Sequence, residues 1–237
     1  MKILIFFLLL FVTNCSKEWS YSYPNDSKKW ANISIKNKFC KIGYNQSPID
    51  IKDDMIIKFS PNDLQINYQN SLIEKVKQKY NYKFLVHNKN FVIRSKRKFW
   101  LRYFEFHHPS EHQILSQPNS LELQLYHKSD DEQWLAISFL IDLDLKNLDR
   151  DNPDFIEFIK YLKSNSIDGK YDFASLNKYL KNSFYYEGSL TTPPCLEGVK
   201  WYIEQSPIIL SKNQINSLIK SSIFTKSNAR EPQIFNP

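Results

Sequence analysis

The chain has 237 residues, with 32 Lys and Arg against 25 Asp and Glu, for a formal charge of +7. That length accommodates one substantial domain with a large core. Fourteen Tyr and 17 Phe supply the core material, while only 4 Gly and no internal repeat exclude a collagen-like or solenoid chain.

Residues 1–16 read as a secretory leader. Lys2 provides a short positive start, and Ile3 to Val12 is an apolar run too short to span a bilayer as a mature helix. Thr13-Asn14-Cys15-Ser16 carries no clean small-x-small cleavage pattern, and a lipoprotein reading of Cys15 has little support. Residues 17–237 then form one mature domain, secreted or luminal, with no transmembrane segment. Sequons at Asn25, Asn32 and Asn45 fit glycosylation there. If Cys15 leaves with the leader, Cys40 and Cys195 remain. An oxidising compartment favours a disulfide between them, with two reduced buried thiols as the alternative.

Positive charge gathers at Lys75, Lys77, Lys79 and Lys83, then at Arg94, Lys96, Arg97, Lys98 and Arg102. The second group could face a polyanion or an unknown protein partner. The competing reading is a solvated strand edge, where lysines discourage edge pairing. No nucleic-acid motif accompanies the charge.

Strand signals dominate the mature chain. Tyr82 to Ile93 is rich in β-branched and aromatic residues. Phe99 to His107 and Leu121 to His127 alternate with period two. Trp134 to Asp142 is a nearly continuous apolar run, the mark of a strand buried on both faces. A helix is predicted over Pro153 to Lys163, with Phe155, Phe158, Ile159 and Leu162 at helical spacing, Asn152 as cap and Pro153 in the first turn. Trp201 to Glu204 and Ile208 to Leu210 are short late strands, and Gln214 to Ile219 a second helix. No linker divides the chain.

Several motifs follow one another along the chain. They are Trp19-Ser20-Tyr21 with Trp30, Gln46-Ser47-Pro48-Ile49-Asp50-Ile51, Phe104-Glu105-Phe106-His107-His108-Pro109-Ser110-Glu111-His112, Leu121-Glu122-Leu123-Gln124, Gly188-Ser189-Leu190-Thr191-Thr192-Pro193-Pro194-Cys195, Trp201, and Asn228-Ala229-Arg230. The ordered set resembles the α-class carbonic anhydrase family over nearly the whole mature chain. The resemblance implies a mainly β fold, with a large, twisted, mostly antiparallel central sheet and short peripheral helices. It also places the family's single disulfide at Cys40 and Cys195.

The same resemblance shows what has changed. Family members carry three zinc-binding histidines; here those positions hold Glu105, His107 and Gln124. Residues two apart on a strand share a face, so Glu105 and His107 point together, and Gln124 on a neighbouring strand completes the group. Catalytic zinc takes three protein ligands and an open position, and lowers the pKa of its bound water; carbonic anhydrase is the standard example of both statements. Glu and Gln are hard oxygen ligands, so zinc affinity should fall. A carboxylate ligand should also raise the pKa of bound water. No cofactor at full occupancy is therefore expected, with weak zinc binding as the alternative.

Other family positions are retained. Thr191 matches the hydroxyl that orients the zinc-bound water, and Glu111 the carboxylate that accepts from it. Leu190, Thr192 and Trp201 match the substrate pocket, where Tyr126 replaces a small aliphatic residue and fills space. Glu122, His112 and Tyr186 match the buried polar groups behind the ligands. The family's proton-shuttle histidine has no counterpart around Asn88-Lys89-Asn90, with Asn90 in its expected place. His108 and His127 point away from the site and His87 is a surface residue.

The resemblance thus implies a secreted protein with absent or strongly impaired CO2 hydratase activity, serving as a binding or structural module. The alternative is a zinc-dependent carbonic anhydrase, converting CO2 and water to bicarbonate and a proton on an atypical Glu105/His107/Gln124 site. With no metal, three glutamates crowd His107. Either a glutamate pKa rises or His107 is protonated as their counter-ion.

Overall fold

A computed structural model describes residues 18–52, 57–59, 64–78, 80–87, 89–221 and 227–236. The predicted leader, Lys79 and Asn88 lie outside the described residues. The strands in chain order are β1 (Asp50–Ile51), β2 (Ile57–Phe59), β3 (Gln65–Asn67), β4 (Asn70–Lys77), β5 (Tyr82–Val86), β6 (Phe91–Arg94), β7 (Arg97–His107), β8 (Gln113–Ile114), β9 (Gln117–Pro118), β10 (Leu121–Ser129), β11 (Trp134–Leu143), β12 (Asp168–Asp172), β13 (Ser183–Ser189), β14 (Glu197–Glu204) and β15 (Ile208–Leu210). The helices are α1 (Trp30–Ile33), α2 (Phe39–Ile42), α3 (Pro153–Lys163) and α4 (Lys212–Lys220).

Most strands join one large sheet in the order β12-β4-β5-β7-β10-β11-β14-β13-β2, with β6 on β7, β3 on β6 and β15 on β11. The sheet is mixed but mostly antiparallel; β11 runs parallel to β14 and to β15. A small second sheet joins β1, β8 and β9. The mainly β architecture agrees with the resemblance.

The sheet separates two cores. Phe84, Phe99, Leu101, Phe104 and Phe106 pack with Phe155 and Phe158 of α3 in the larger one. Tyr126, Ala136, Leu140, Trp201 and Ile203 form the smaller one on the other face. Helix α3 occupies the predicted residues. Asn152 caps it by accepting from the Asp154 N–H, and its four predicted apolar residues are buried. Helix α4 starts two residues earlier than predicted because Ser211 and Gln214 make a reciprocal capping box.

Two strand expectations change. Tyr82 to Ile93 splits into β5 and β6, because Asn90 is buried between strands. It donates to Ser71 Oγ and accepts from the Gln69 N–H, so β5 ends at Val86 and β6 starts at Phe91. Strand β14 begins at Glu197 rather than Trp201. Gly198, at φ +89°, follows the register shift opposite Gly188/Ser189, a backbone that side chains rarely adopt.

The Cys40–Cys195 disulfide is formed, with Cα atoms 5.1 Å apart, which settles the alternative of reduced thiols. Arg230, 1% exposed, donates to the carbonyls of Cys40 and Ser47 and to Gln46 Oε1. It ties the segment around Arg230 to residues 40–47. Among the described residues no helix is long and apolar enough to cross a membrane.

Candidate metal centre

Strands β7 and β10 bring the three sequence-predicted positions together. Alternation puts Glu105 and His107 on one face of β7, and Glu122, Gln124 and Tyr126 on the same face of β10. The antiparallel register pairs Gln124 with Glu105 and Glu122 with His107. His107, Glu111, Glu122 and Gln124 are fully buried and Glu105 nearly so.

His107 Nδ1 lies 2.8 Å from the Asn228 carbonyl, so this nitrogen donates, and in the neutral ring Nε2 carries the lone pair. Nε2 is buried without a hydrogen-bond partner, 3.8 Å from Glu105 Oε2. Burial pushes the imidazole pKa down. Glu111, Glu105 and Glu122, with the Asn228 carbonyl, outweigh it, and the net direction is up.

Gln124 is fully committed. Its Nε2 donates to Glu122 Oε1 at 2.8 Å and to Glu111 Oε2 at 3.0 Å. Two carboxylates on the nitrogen fix which way the amide points, because an amide oxygen there would face like partial charge. Its Oε1 accepts from the Tyr126 hydroxyl at 2.6 Å. Tyr126 is 3% exposed, stacked on Tyr103 with ring centroids 4.8 Å apart and edge-on to Trp201. Its ring fills space in the smaller core, beside half-buried Leu190.

Glu105 also has partners. Lys83, directly opposite on β5, places Nζ 3.4 Å from Oε1 and 3.9 Å above the Tyr103 ring. Asn81 donates to Oε2 at 3.3 Å. The carboxylate thus holds a cation that belongs to the chain.

Behind these residues lies a satisfied polar network. Glu122 accepts from Ser138 Oγ, from the Glu111 and His112 N–H groups and from His112 Nδ1, all within 2.8 Å. Burial pushes its pKa up, but His112 and Ser138 hold it at about 2. His112 Nε2 reaches the Tyr186 hydroxyl, which donates to Ser47. Glu111 accepts from the Arg230 N–H and from the Thr191 hydroxyl. Burial raises its pKa; His107 opposes this without cancelling it. Thr191 also bonds Tyr126, and Thr192 beyond it is half-buried.

Sequence reasoning did not place Lys83, Asn81 or Tyr21 in the site. The Tyr21 hydroxyl is buried without a partner, although its ring is partly exposed. Burial, Glu111 and Glu105 raise its pKa well above the ordinary value, so it borders the same carboxylates. Tyr80 packs on Trp19 and Tyr21. Tyr80 and Asn81, just before β5, therefore border the site, whereas Asn90 is buried elsewhere. His108 bonds the Ser120 carbonyl and exposed His87 pairs with Glu74. His127 faces Tyr68 in the larger core, where burial lowers its pKa to about 3. Among the described residues, no group of three His, Cys, Asp or Glu is placed to hold a metal.

The profile of the eukaryotic-type carbonic anhydrases matches residues 25–236. The chain belongs to this family. A carbonic anhydrase of Pectobacterium atrosepticum is 27% identical over 93% of this chain and 89% of its own length. Dioscorin dioA3 of Dioscorea japonica is 30% identical over 93% of this chain and 83% of its own. The α-carbonic anhydrase of Thermovibrio ammonificans, solved with the inhibitor sulfanilamide, superposes with a TM-score of 0.80 at 26% identity, covering 92% of this chain and 96% of the other. The carbonic anhydrase family thus shares the sheet on which Glu105, His107 and Gln124 sit, and the family normally binds zinc.

Proposed function

We propose that this chain is a carbonic-anhydrase-family protein with absent or strongly impaired CO2 hydratase activity, acting as a binding or structural module of the secretory or extracellular space. The observation that carries the reading is the state of Gln124. Its oxygen accepts from Tyr126 and its nitrogen serves Glu111 and Glu122. Zinc would have to draw that oxygen away from Tyr126, share Glu105 with Lys83, and rely on His107 Nε2 as its one nitrogen donor. Catalytic zinc sites take three protein ligands with a fourth position open, and a nearby ammonium opposes a divalent ion. These residues do not fit a catalytic zinc.

In this reading Thr191, Glu111, Glu122, His112 and Tyr186 persist as a structural network, since a buried polar network is costly to leave half satisfied. Leu190, Thr192, Tyr126 and Trp201 line a filled substrate pocket. The relatives include a dioscorin as well as named carbonic anhydrases, and fold alone does not carry an activity across. The leader over residues 1–16 and the mature domain over 17–237 belong to the same proposal.

One observation favours a second reading. The orphaned His107 Nε2 and Tyr21 hydroxyl are buried polar atoms that lack partners, and such atoms cost stability unless something meets them. A weakly held divalent ion on Glu105, His107 and Gln124 would supply a partner for His107 Nε2. Elemental analysis of the protein folded with excess zinc and gel-filtered tests both readings. The proposal expects zinc far below stoichiometry and no measurable CO2 hydration. About one zinc per chain, lost on His107→Ala, would overturn it in favour of the second reading.

A further inference from the structure

The basic segment at Arg94 to Arg102 has no part in the candidate metal centre. Strands β6 and β7 meet in a two-residue turn, Ser95 and Lys96, with φ of 49° and 65°. This is the left-handed geometry that hairpin twist demands and that Asn or Gly usually fills. The turn places Arg94 directly opposite Arg97 in the ladder. Like charges in that position destabilise a sheet. Lys200 of β14 approaches the same place: Arg97 Nη1 and Lys200 Nζ donate to one oxygen, Gln133 Oε1, at 2.6 and 3.3 Å. One neutral oxygen thus accepts from two cations, and Asp131 stands beside both.

These residues surround a cavity of about 390 Å3, lined by Arg94, Ser95, Lys96, Arg97, Phe99 and Lys200. No lining residue is acidic. Two carboxylates stand nearby. Asp131 pairs with Arg97 at 3.2 Å on the exposed side, and Glu187 lies opposite Lys200 while accepting from the Tyr185 hydroxyl. Arg94 is held in place by aromatic neighbours: its Nε donates to the Tyr202 hydroxyl and its guanidinium stacks 4.7 Å over Tyr185. Phe99 and Tyr202 belong to the larger core, whereas Glu105 and Gln124 face the other side of the sheet.

We propose that this pocket binds a tetrahedral oxyanion, the sulfate or phosphate group of a ligand. Four cations brought together around one cavity repel each other, and an oxyanion converts that repulsion into charge-assisted hydrogen bonds. A positioned guanidinium suits such a group because its planar donors match oxyanion edges. The ion can arrive free or carried on a polyanion, and both use the same contacts. The inference is independent of whether the candidate metal centre holds a metal.

The test is isothermal titration of the full protein with two probes, inorganic sulfate and a heparin hexasaccharide, at fixed ionic strength. Saturable binding of either probe is expected, weakened about tenfold or more by Arg97→Gln and again by Lys200→Gln. A hexasaccharide bound at least about tenfold more tightly than sulfate would assign the ligand as a carried group; equal affinity would assign a free-ion site. Arg97 is exposed and Lys200 half-buried, and thermal melts check that both variants fold. The control is Lys163→Gln with Lys220→Gln, two exposed lysines at a separate cavity between α3 and α4. Equal weakening by the control pair would reduce the effect to net charge and overturn the proposal. Absence of saturable binding by either probe would overturn it as well.

Discussion

Tyr126→Phe removes one oxygen and leaves the ring. Its stack on Tyr103 at 4.8 Å and its edge contact with Trp201 at 5.6 Å survive. What is lost is the 2.6 Å hydrogen bond to the fully buried Gln124 Oε1, together with the bond to the Thr191 hydroxyl. Stranding a buried acceptor costs about 1–3 kcal/mol. For a domain of this size that lowers the melting temperature by roughly 2–12 °C. Urea unfolding should show a lower midpoint with an unchanged m-value, since the surface exposed on unfolding is the same. The variant should also bind Co2+ or Zn2+ more tightly than wild type, because the amide oxygen is free to turn toward a cation beside His107. Equilibrium dialysis reads that change without reference to activity. A cost below about 0.5 kcal/mol, together with unchanged metal binding, would refute the claim that Tyr126 locks the amide.

Lys83→Gln should lower stability by about 1–3 kcal/mol, because Glu105 is then left buried without its charge partner; combined with Tyr126→Phe, it should raise divalent metal affinity beyond either change alone. Acid should unfold the protein through two buried groups. Glu122 is held at about 2 against about 4.3 in the unfolded chain, so its contribution of about 3 kcal/mol is present at neutral pH and lost as pH falls from roughly 5 toward 2. His127 titrates at about 3 against about 6.5 unfolded, so the unfolded chain takes up the proton first and stability falls from roughly pH 6.5 downward. A Tyr68→Phe/His127→Phe variant should show a flatter stability profile between pH 7 and 5. Reduction of Cys40–Cys195, which spans 155 residues, should cost about 5 kcal/mol in the chain-entropy account; a melt unchanged by dithiothreitol would contradict it.

Much of the architecture was legible because local signals and ordered motifs agreed. Asn152, Pro153 and four spaced apolar residues marked α3 to its ends. Alternation marked the face shared by Glu122, Gln124 and Tyr126. What escaped the sequence depends on pairing across distance. Lys83 meets Glu105 because β5 registers against β7 at one particular offset, and a shift by one residue would send its side chain to the opposite face. Asn90 shows its role only once Ser71 and the Gln69 N–H lie beside it. The two-sided commitment of Gln124 likewise needed coordinates. The residue type states that oxygen and nitrogen are both available, and only the placement of Glu111 states which one turns inward.

The segment around Asn228 and Arg230 has a temporal meaning. The Asn228 carbonyl orients His107 across 121 residues, and the Arg230 N–H completes Glu111 across 119. Synthesis proceeds from the N-terminus, so β7 and β10 can pair while these two partners are still unmade. The sheet can therefore form before its polar centre does. Until the Asn228 carbonyl and the Arg230 N–H arrive, His107 Nδ1 and Glu111 Oε1 lack those two partners. A loosened C-terminal segment would reopen the same interval in the finished protein, leaving a folded sheet with an accessible His107.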